Sequence, residues 1–205
     1  MIDDYLYNGT GVLKNLFNVR TQSELDDIEA DYVSLRLKEL VENPLPGHYD
    51  LRHFLEFHRF IFQDVYPWAG ETRHLNIYKE EPVLGGLSVE YSDFHNIKED
   101  LIATLNRFNE IDWGSKIIPE ISKEFAELVA ALWKIHPFRE GNTRTTITFC
   151  CQFADSHGFP IKRDIFEKNS LYVRTSMVAY NAVFKDIGDH SSKQYLEKIV
   201  LDALS

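Results

Sequence analysis

Apolar residues recur at helical spacing along most of this chain. The spacing predicts seven helices, at residues 21–42, 51–62, 92–108, 119–135, 143–157, 164–184 and 191–204. Thr21 and Glu24 have the spacing of a capping box at the start of the first helix. Pro137 disfavours helical geometry at His136, so the fourth helix must end near residue 135. The pattern therefore predicts a mainly α-helical protein.

Residues 73–87 have a different pattern. Their first part alternates polar and apolar side chains, and Pro82 and a pair of glycines interrupt the second part. This alternation predicts a short β-hairpin, or flap. No repeat or low-complexity tract divides the 205 residues, which are enough to bury one core. We expect one all-α domain, a helical bundle with a small β-hairpin flap, in which residues 1–45 form an N-terminal helical extension and residues 46–205 form the core.

Composition narrows the classes of function. The formal charge is −10, and an acidic surface repels phosphate backbones, so bulk nucleic-acid binding is not expected, although a local basic pocket can still hold one nucleotide. Cys150 and Cys151 are adjacent, which makes a mutual disulfide improbable and favours a reducing compartment. No signal peptide and no membrane-spanning stretch is recognisable. We expect a cytoplasmic protein that binds no membrane, and delivery as an effector stays open.

Most side chains that could take part in catalysis or ligand binding lie between positions 136 and 146, with the sequence H-P-F-R-E-G-N-T-R-T-T. The segment ends one predicted helix and opens the next, and a helix N-terminus binds anions. Gly141 allows close backbone approach, and Arg144 has the fork geometry for phosphate oxygens. Glu140 offers a hard oxygen ligand of the kind that Mg²⁺ accepts. His136 is the residue in this segment that can take a proton at neutral pH.

Each of these residue types is also common in purely structural roles. A histidine before a proline often caps a helix, and Gly-Asn is frequent in turns. Their conjunction over nine positions favours function instead. Zinc is the weaker alternative because neither a second histidine nor a cysteine lies at ligand spacing from His136.

The segment H-P-F-R-E-G-N-T-R at residues 136–144 resembles the signature H-P-F-x-[D/E]-G-N-G-R of the Fic-domain family. Residues 62–73 and 7–15 also resemble parts of Fic domains related to bacterial effector and toxin proteins, so the likeness covers nearly the whole chain. It implies a Fic fold and the transfer of AMP from ATP to a Ser, Thr or Tyr hydroxyl of a protein.

The resemblance also implies roles for matching positions. His136 would deprotonate the target hydroxyl, Phe138 would anchor the loop in the core, and Glu140 would hold Mg²⁺. The residues implied to bind the nucleotide phosphates are Gly141, Asn142, Thr143 and Arg144. The target protein would dock in extended form on the flap between His74 and Leu84.

Two residues depart from the family pattern. Thr143 replaces a glycine, and Ile147 replaces a second arginine that in the family contacts the γ-phosphate and pairs with an inhibitory glutamate. The inhibitory motif, Ser/Thr-x-x-x-Glu, is also absent from the sequence. The alternatives are a separate antitoxin-like inhibitor or no inhibition of this type.

Three functions fit these residues. Adenylyl transfer to a protein, including to itself, is the leading hypothesis. Transfer of phosphate or of another nucleotide-borne group is the second, because the two departures alter the half of the loop that binds outer phosphates. A degenerate binding domain is the third, and a retained His136 base argues against it.

Overall fold

The computed structural model describes residues 3–205, which form eight α-helices, two short 3-10 helices and one two-stranded hairpin. The α-helices are α1 (Gln22–Glu42), α2 (Leu51–Phe62), α3 (Ile97–Asn109), α4 (Ile118–Ile135), α5 (Asn142–Ser156), α6 (Arg163–Lys168), α7 (Ser170–Tyr180) and α8 (Gln194–Leu204). The 3-10 helices are Pro82–Leu84 and Trp113–Ser115. The antiparallel strands are β1 (Val183–Phe184) and β2 (Gly188–Asp189). The predicted helical class is confirmed.

Helix α4 lies at the centre of the fold and packs against α3, α5, α7 and α8. Phe125, Leu128 and Leu132 are fully buried on it. Helix α2 packs against α1, α3 and α5. Because α4 and α5 are both anchored in the core, the loop that joins them is held at both ends. Within residues 3–205, no helix combines the length and the apolar character needed to span a bilayer.

Three predicted helices differ clearly from the structure, and one of them, predicted for residues 191–204, begins only at Gln194. Helix α3 begins at Ile97 rather than at Ser92, because the preceding residues bond to residues 73 and 76: Arg73 donates to the Ser92 carbonyl and the Asn76 side chain accepts from the Phe94 N–H. The predicted helix 164–184 is broken at Asn169, whose side chain donates to the Ile165 carbonyl and ends α6. Its second part, α7, ends at Tyr180, and residues 183–184 form strand β1 instead of a helical turn. These side-chain bonds compete with helical backbone bonds, and hydrophobic spacing does not report them.

The flap, residues 74–88, reverses direction as predicted but forms no β-ladder. Glu81 donates its N–H to the Leu87 carbonyl (3.1 Å), and the Lys79 N–H is taken by the hydroxyl of Ser88 (3.2 Å). The 3-10 helix that begins at Pro82 fills the turn. The two-stranded hairpin of this fold lies instead at residues 183–189.

Candidate active site

The loop of residues 136–141 joins α4 to α5. Helix α4 ends because His136 adopts a left-handed conformation (φ 50°, ψ 57°), which turns the chain into Pro137. A non-glycine residue in this region is uncommon and persists where its surroundings hold it. The buried Arg73 supplies that support. Its N–H donates to the Pro137 carbonyl and its Nε donates to the His136 carbonyl, both at 2.8 Å.

The imidazole of His136 is buried between two aromatic rings. The ring centroid of Tyr91 lies 4.1 Å away, and that of Trp133 lies 5.3 Å away, edge-on. Nδ1 lies 3.3 Å from the Trp133 carbonyl oxygen, so this nitrogen carries the proton. Nε2, the basic atom, has no hydrogen-bond partner among residues 3–205. Burial, followed by the charge of Lys79, lowers the pKa of His136 well below its ordinary value, so the ring is neutral at pH 7.

The Asn142 side chain holds the middle of the loop through two hydrogen bonds to the backbone of Phe138. Its Oδ1 accepts from the Phe138 N–H (2.9 Å) and its Nδ2 donates to the Phe138 carbonyl (2.8 Å). Phe138 is fully buried and stacks on the imidazole of His58 at 3.7 Å. His58 donates from Nε2 to the Glu140 carbonyl (3.1 Å) and accepts at Nδ1 from the Gly70 N–H (2.8 Å). These bonds fix the middle of the loop to α2.

Gly141 is required by two independent features. Its backbone is left-handed (φ 81°), which favours glycine. A Cβ at this position would lie 2.3 Å from Cζ of Phe62, a fully buried ring. The sequence suggests only that Gly141 allows close approach of a phosphate, whereas the structure adds that the space of a side chain is filled by Phe62.

The first turn of α5 presents free hydrogen-bond donors. The N–H groups of Asn142, Thr143 and Arg144 have no acceptor among residues 3–205, as expected for the start of a helix. They lie at the positive end of the helix dipole, which binds anions. Thr143 accepts at Oγ1 from the indole N–H of Trp133 (2.9 Å), so its own hydroxyl hydrogen stays free to donate.

All seven predicted site residues lie on this loop or in the first turn of α5: His136, Phe138, Glu140, Gly141, Asn142, Thr143 and Arg144.

Glu140 carries the carboxylate of the loop. Oε1 accepts from the Gly141 N–H (2.9 Å), and Oε2 lies 3.4 Å from Nζ of Lys79, a flap residue. Burial alone would raise the pKa of Glu140, but Lys79, the Gly141 amide and Arg144 outweigh it and hold the pKa below its ordinary value. The group is therefore an ionised hard oxygen ligand with Lys79 close to one oxygen and Arg144 at 4.0 Å from the other.

The sequence model of the Fic/DOC family matches residues 48–154, which is more than half of the chain and includes the whole loop. The chain belongs to the Fic/DOC family. The family membership predicted from the motif is thus confirmed.

Curated relatives and solved structures agree with this membership. The chain is 30% identical to the protein adenylyltransferase VbhT of Bartonella schoenbuchensis over 87% of its own length, but it spans only 36% of that relative. It is 33% identical to the probable protein adenylyltransferase y4lH of Sinorhizobium fredii, covering 80% of this chain and 82% of that protein. The fold resembles BepC, a VirB-translocated effector of Bartonella tribocorum solved with AMPPNP, with a TM-score of 0.74, 21% identity and coverage of 97% and 95%.

Ile147 differs from the Fic signature and alters the surroundings of the loop. It lies one helical turn after Thr143 and lines a cavity of about 180 Å³ between α1, α5, α6 and α7. Leu37, Phe166 and Val173 contribute further apolar walls. The position that is arginine in the Fic signature is therefore part of an apolar surface here.

The flap is anchored by an ion pair whose carboxylate is buried and whose guanidinium is partly exposed. Glu81 is almost fully buried, and both of its carboxylate oxygens accept from the guanidinium of Arg174 on α7 at 2.8 Å. This bidentate contact places Lys79, two residues earlier, over Glu140.

Four side chains that shape the site are not predictable from the motif: His58, Arg73, Lys79 and Glu29, the last of which pairs with Arg144. All four lie far from the motif in sequence, and no spacing rule connects them to it. The available signal is that residues 62–73, which include Arg73, resemble the family.

Proposed function

We propose that this Fic domain transfers AMP from ATP to a hydroxyl group of a protein. The proposal rests on two neighbouring features: the neutral imidazole of His136 with its free Nε2, and the unpaired N–H groups at the start of α5. The relatives named as adenylyltransferases support it. One group removes a proton and the other receives phosphate, which are the two requirements of the reaction.

The base acts through Nε2 of His136. Its Nδ1–H is directed at the Trp133 carbonyl, so Nε2 accepts the proton of a Ser, Thr or Tyr hydroxyl. The hydroxyl oxygen forms a bond to the α-phosphorus, the bond from that phosphorus to the bridging oxygen breaks, and pyrophosphate leaves. The low pKa of His136 means that the ring needs no prior deprotonation at pH 7.

The phosphate site is formed by the start of α5. The amides that come after Gly141 and the free hydroxyl hydrogen of Thr143 donate to phosphate oxygens, and Arg144 supplies positive charge. Glu140, whose ionised side chain is 35% exposed, would hold Mg²⁺. When bound, the metal neutralises developing charge on the phosphates.

The target protein docks on the flap between His74 and Leu84. The backbone groups of Asn76, Ile77 and Tyr78 form no backbone hydrogen bonds within residues 3–205, so they are free to pair with an added strand. A polar groove beside them is lined by Asp3 and Arg139. Tyr91, just after the flap, covers His136, so docking must shift the Tyr91 side chain to admit the hydroxyl.

One observation favours the second enzymatic candidate, transfer of phosphate or another nucleotide-borne group. Ile147 supplies no charge for a third phosphate at the position that is arginine in the Fic signature. A separate antitoxin-like inhibitor and a cytoplasmic location stay predictions from the sequence.

ATP labelled at either the α- or the γ-phosphate distinguishes the candidates. With Mg²⁺ present, we expect label from the α position on the domain itself or on proteins of a lysate, and none from the γ position. His136→Ala should abolish the labelling, and replacement of the exposed His48 by Ala should leave it intact. Label from the γ position alone would support phosphoryl transfer. No label from either position, with His136→Ala indistinguishable from the wild type, would exclude both enzymatic functions.

A further inference from the structure

Glu29 lies on the inward face of α1. The buried residues Leu25 and Val33 stand four positions before and after it, which places all three on one side of the helix. Its side chain is only 16% exposed. A carboxylate between two buried apolar residues loses hydration and needs partners to offset the loss.

Glu29 has two such partners. Oε1 lies 2.6 Å from Nη2 of Arg144, and Oε2 accepts a hydrogen bond from the hydroxyl of Tyr66. Tyr66 is itself buried and stacks on Trp68 at a centroid distance of 4.4 Å. Burial and then the charge of Glu29 raise the pKa of Tyr66, so the phenol stays protonated and donates. Glu29 is therefore a fixed carboxylate.

The guanidinium group of Arg144 is contacted at one edge and on one face. Glu29 pairs with one end of the guanidinium, and the ring of Phe62 lies under it with a centroid distance of 4.8 Å. Oε1 of Glu140 is 4.0 Å from the same Nη2. A guanidinium has five N–H donors, and the Arg144 side chain is 33% exposed, so donors remain for a ligand.

We propose that Glu29 is a positioning residue for nucleotide binding. Tyr66 holds Glu29, and Glu29 holds Arg144 in the orientation that receives a phosphate bound at the start of α5. This inference rests on the proposed nucleotide site. A long arginine side chain loses much rotamer freedom when it is immobilised, and the contact with Glu29 imposes that loss before the nucleotide arrives.

The opposite effect, competition between Glu29 and the phosphate, is disfavoured by this geometry. Glu29 is confined by Tyr66 and by its position on the buried face of α1, and it engages one end of the guanidinium. A phosphate can bind the remaining donors without displacing it. The two effects predict opposite changes in affinity when the carboxylate is removed.

The test is the dissociation constant of ATP with Mg²⁺, measured by calorimetry on the whole chain. Glu29→Gln should weaken binding about five- to tenfold, and Tyr66→Phe, which keeps the ion pair, about two- to threefold. Asp27→Asn removes the same charge from the exposed side of α1 and should leave affinity within twofold. At saturating ATP, the rate of α-label transfer by Glu29→Gln should fall less than its affinity does.

A double mutant separates positioning from a general structural effect. In an Arg144→Met background, Glu29→Gln should cause no further loss of affinity, because Glu29 acts through Arg144. Unchanged or tighter ATP binding by Glu29→Gln overturns the proposal, and so does an equal loss in the double-mutant background. If the wild type binds ATP but transfers no label, the proposed function fails and the positioning role is still decided. A wild type that binds no ATP overturns both.

Discussion

The loop of residues 136–141 and the flap of residues 74–88 face each other but are constructed differently. Side chains from outside the loop bond directly to its carbonyls: Arg73 to that of His136 and His58 to that of Glu140. The flap has few internal bonds, and several of its apolar side chains are exposed, including Tyr78 (66%) and Val83 (51%). Its main anchor is one ion pair to α7.

This difference matches the different tasks that we propose for the two regions. Proton transfer and phosphate binding require fixed geometry, which the many bonds to the loop provide. Docking of a protein chain requires free backbone groups and surface apolar residues, which the flap provides. We therefore expect substitutions that disturb the loop to impair both chemistry and stability, and substitutions in the flap to impair mainly the modification of proteins.

Glycine replacements give the largest contrast. Gly141→Ala should destabilise the protein by roughly 2–5 kcal/mol and reduce adenylyl transfer at least 100-fold, because alanine is strained at φ 81° and its Cβ would collide with Phe62. Gly85→Ala in the flap is the matched control: φ is also positive (64°), but the space is open, so a cost of about 1 kcal/mol is expected. Thermal unfolding and label transfer measure both. Equal losses for the two variants would contradict the contrast.

Removal of the flap anchor should give the next largest effect. Arg174→Ala leaves the carboxylate of Glu81 buried without its partner and should cost roughly 2–4 kcal/mol, below the range of a fully buried pair because Arg174 is partly exposed. Hydrogen exchange should rise at residues 79–88 and stay unchanged at residues 136–142. Arg107→Ala removes an exposed ion pair and serves as the control. Faster exchange in the loop as well would show that the two regions are not independent.

The pH dependence of stability should report the loop anchor. Burial lowers the pKa of His58 to about 3, so the folded protein binds fewer protons than the unfolded chain between pH 3 and 6.5. The contribution of neutral His58 to the free energy of unfolding is fully present above pH 6.5. It is lost as the pH falls through this window, by about 1–2 kcal/mol at pH 5. His58→Gln should flatten the fall of unfolding free energy between pH 7 and 5, and His48→Gln should not. An unchanged slope in His58→Gln would contradict this assignment.

The smallest effect is expected at the far end of the phosphate site. Ile147→Arg places a cation beside the cavity on α5 and should tighten ATP binding about tenfold, with little change for ADP. Ile147→Met, which keeps an apolar side chain, is the control. Unchanged or weaker ATP binding by Ile147→Arg would show that this wall does not face the outer phosphate.

The sequence predicts the helical class well because helix formation depends on local signals, and the residues of the candidate site are also close together in the sequence. Helical spacing identifies most helices, and Pro137 correctly marks the end of α4. The motif residues are contiguous, so one loop necessarily brings them together. Cys150 and Cys151 are free and buried, as expected for adjacent helical neighbours.

Features that depend on distant partners are not predicted. The late start of α3 results from bonds between Arg73 and Ser92 across the fold, and the ion pair of Glu29 with Arg144 joins residues more than a hundred positions apart. The flap lacks a β-ladder because the backbone N–H of Lys79 donates to the hydroxyl of Ser88 instead of to a backbone carbonyl. Such side-chain contacts leave no periodic trace in the sequence.

His136 is proposed to act as the base, whereas the phosphate site at the start of α5 does not need the His136 imidazole. His136→Asn tests this proposal most directly, because asparagine tolerates the left-handed backbone at this position. We predict that the single-turnover rate of transfer from α-labelled ATP falls about 10²- to 10⁴-fold, while the dissociation constant of ATP stays within twofold of the wild type. A variant that retains the transfer rate, or that loses activity through weaker ATP binding, would contradict the assignment.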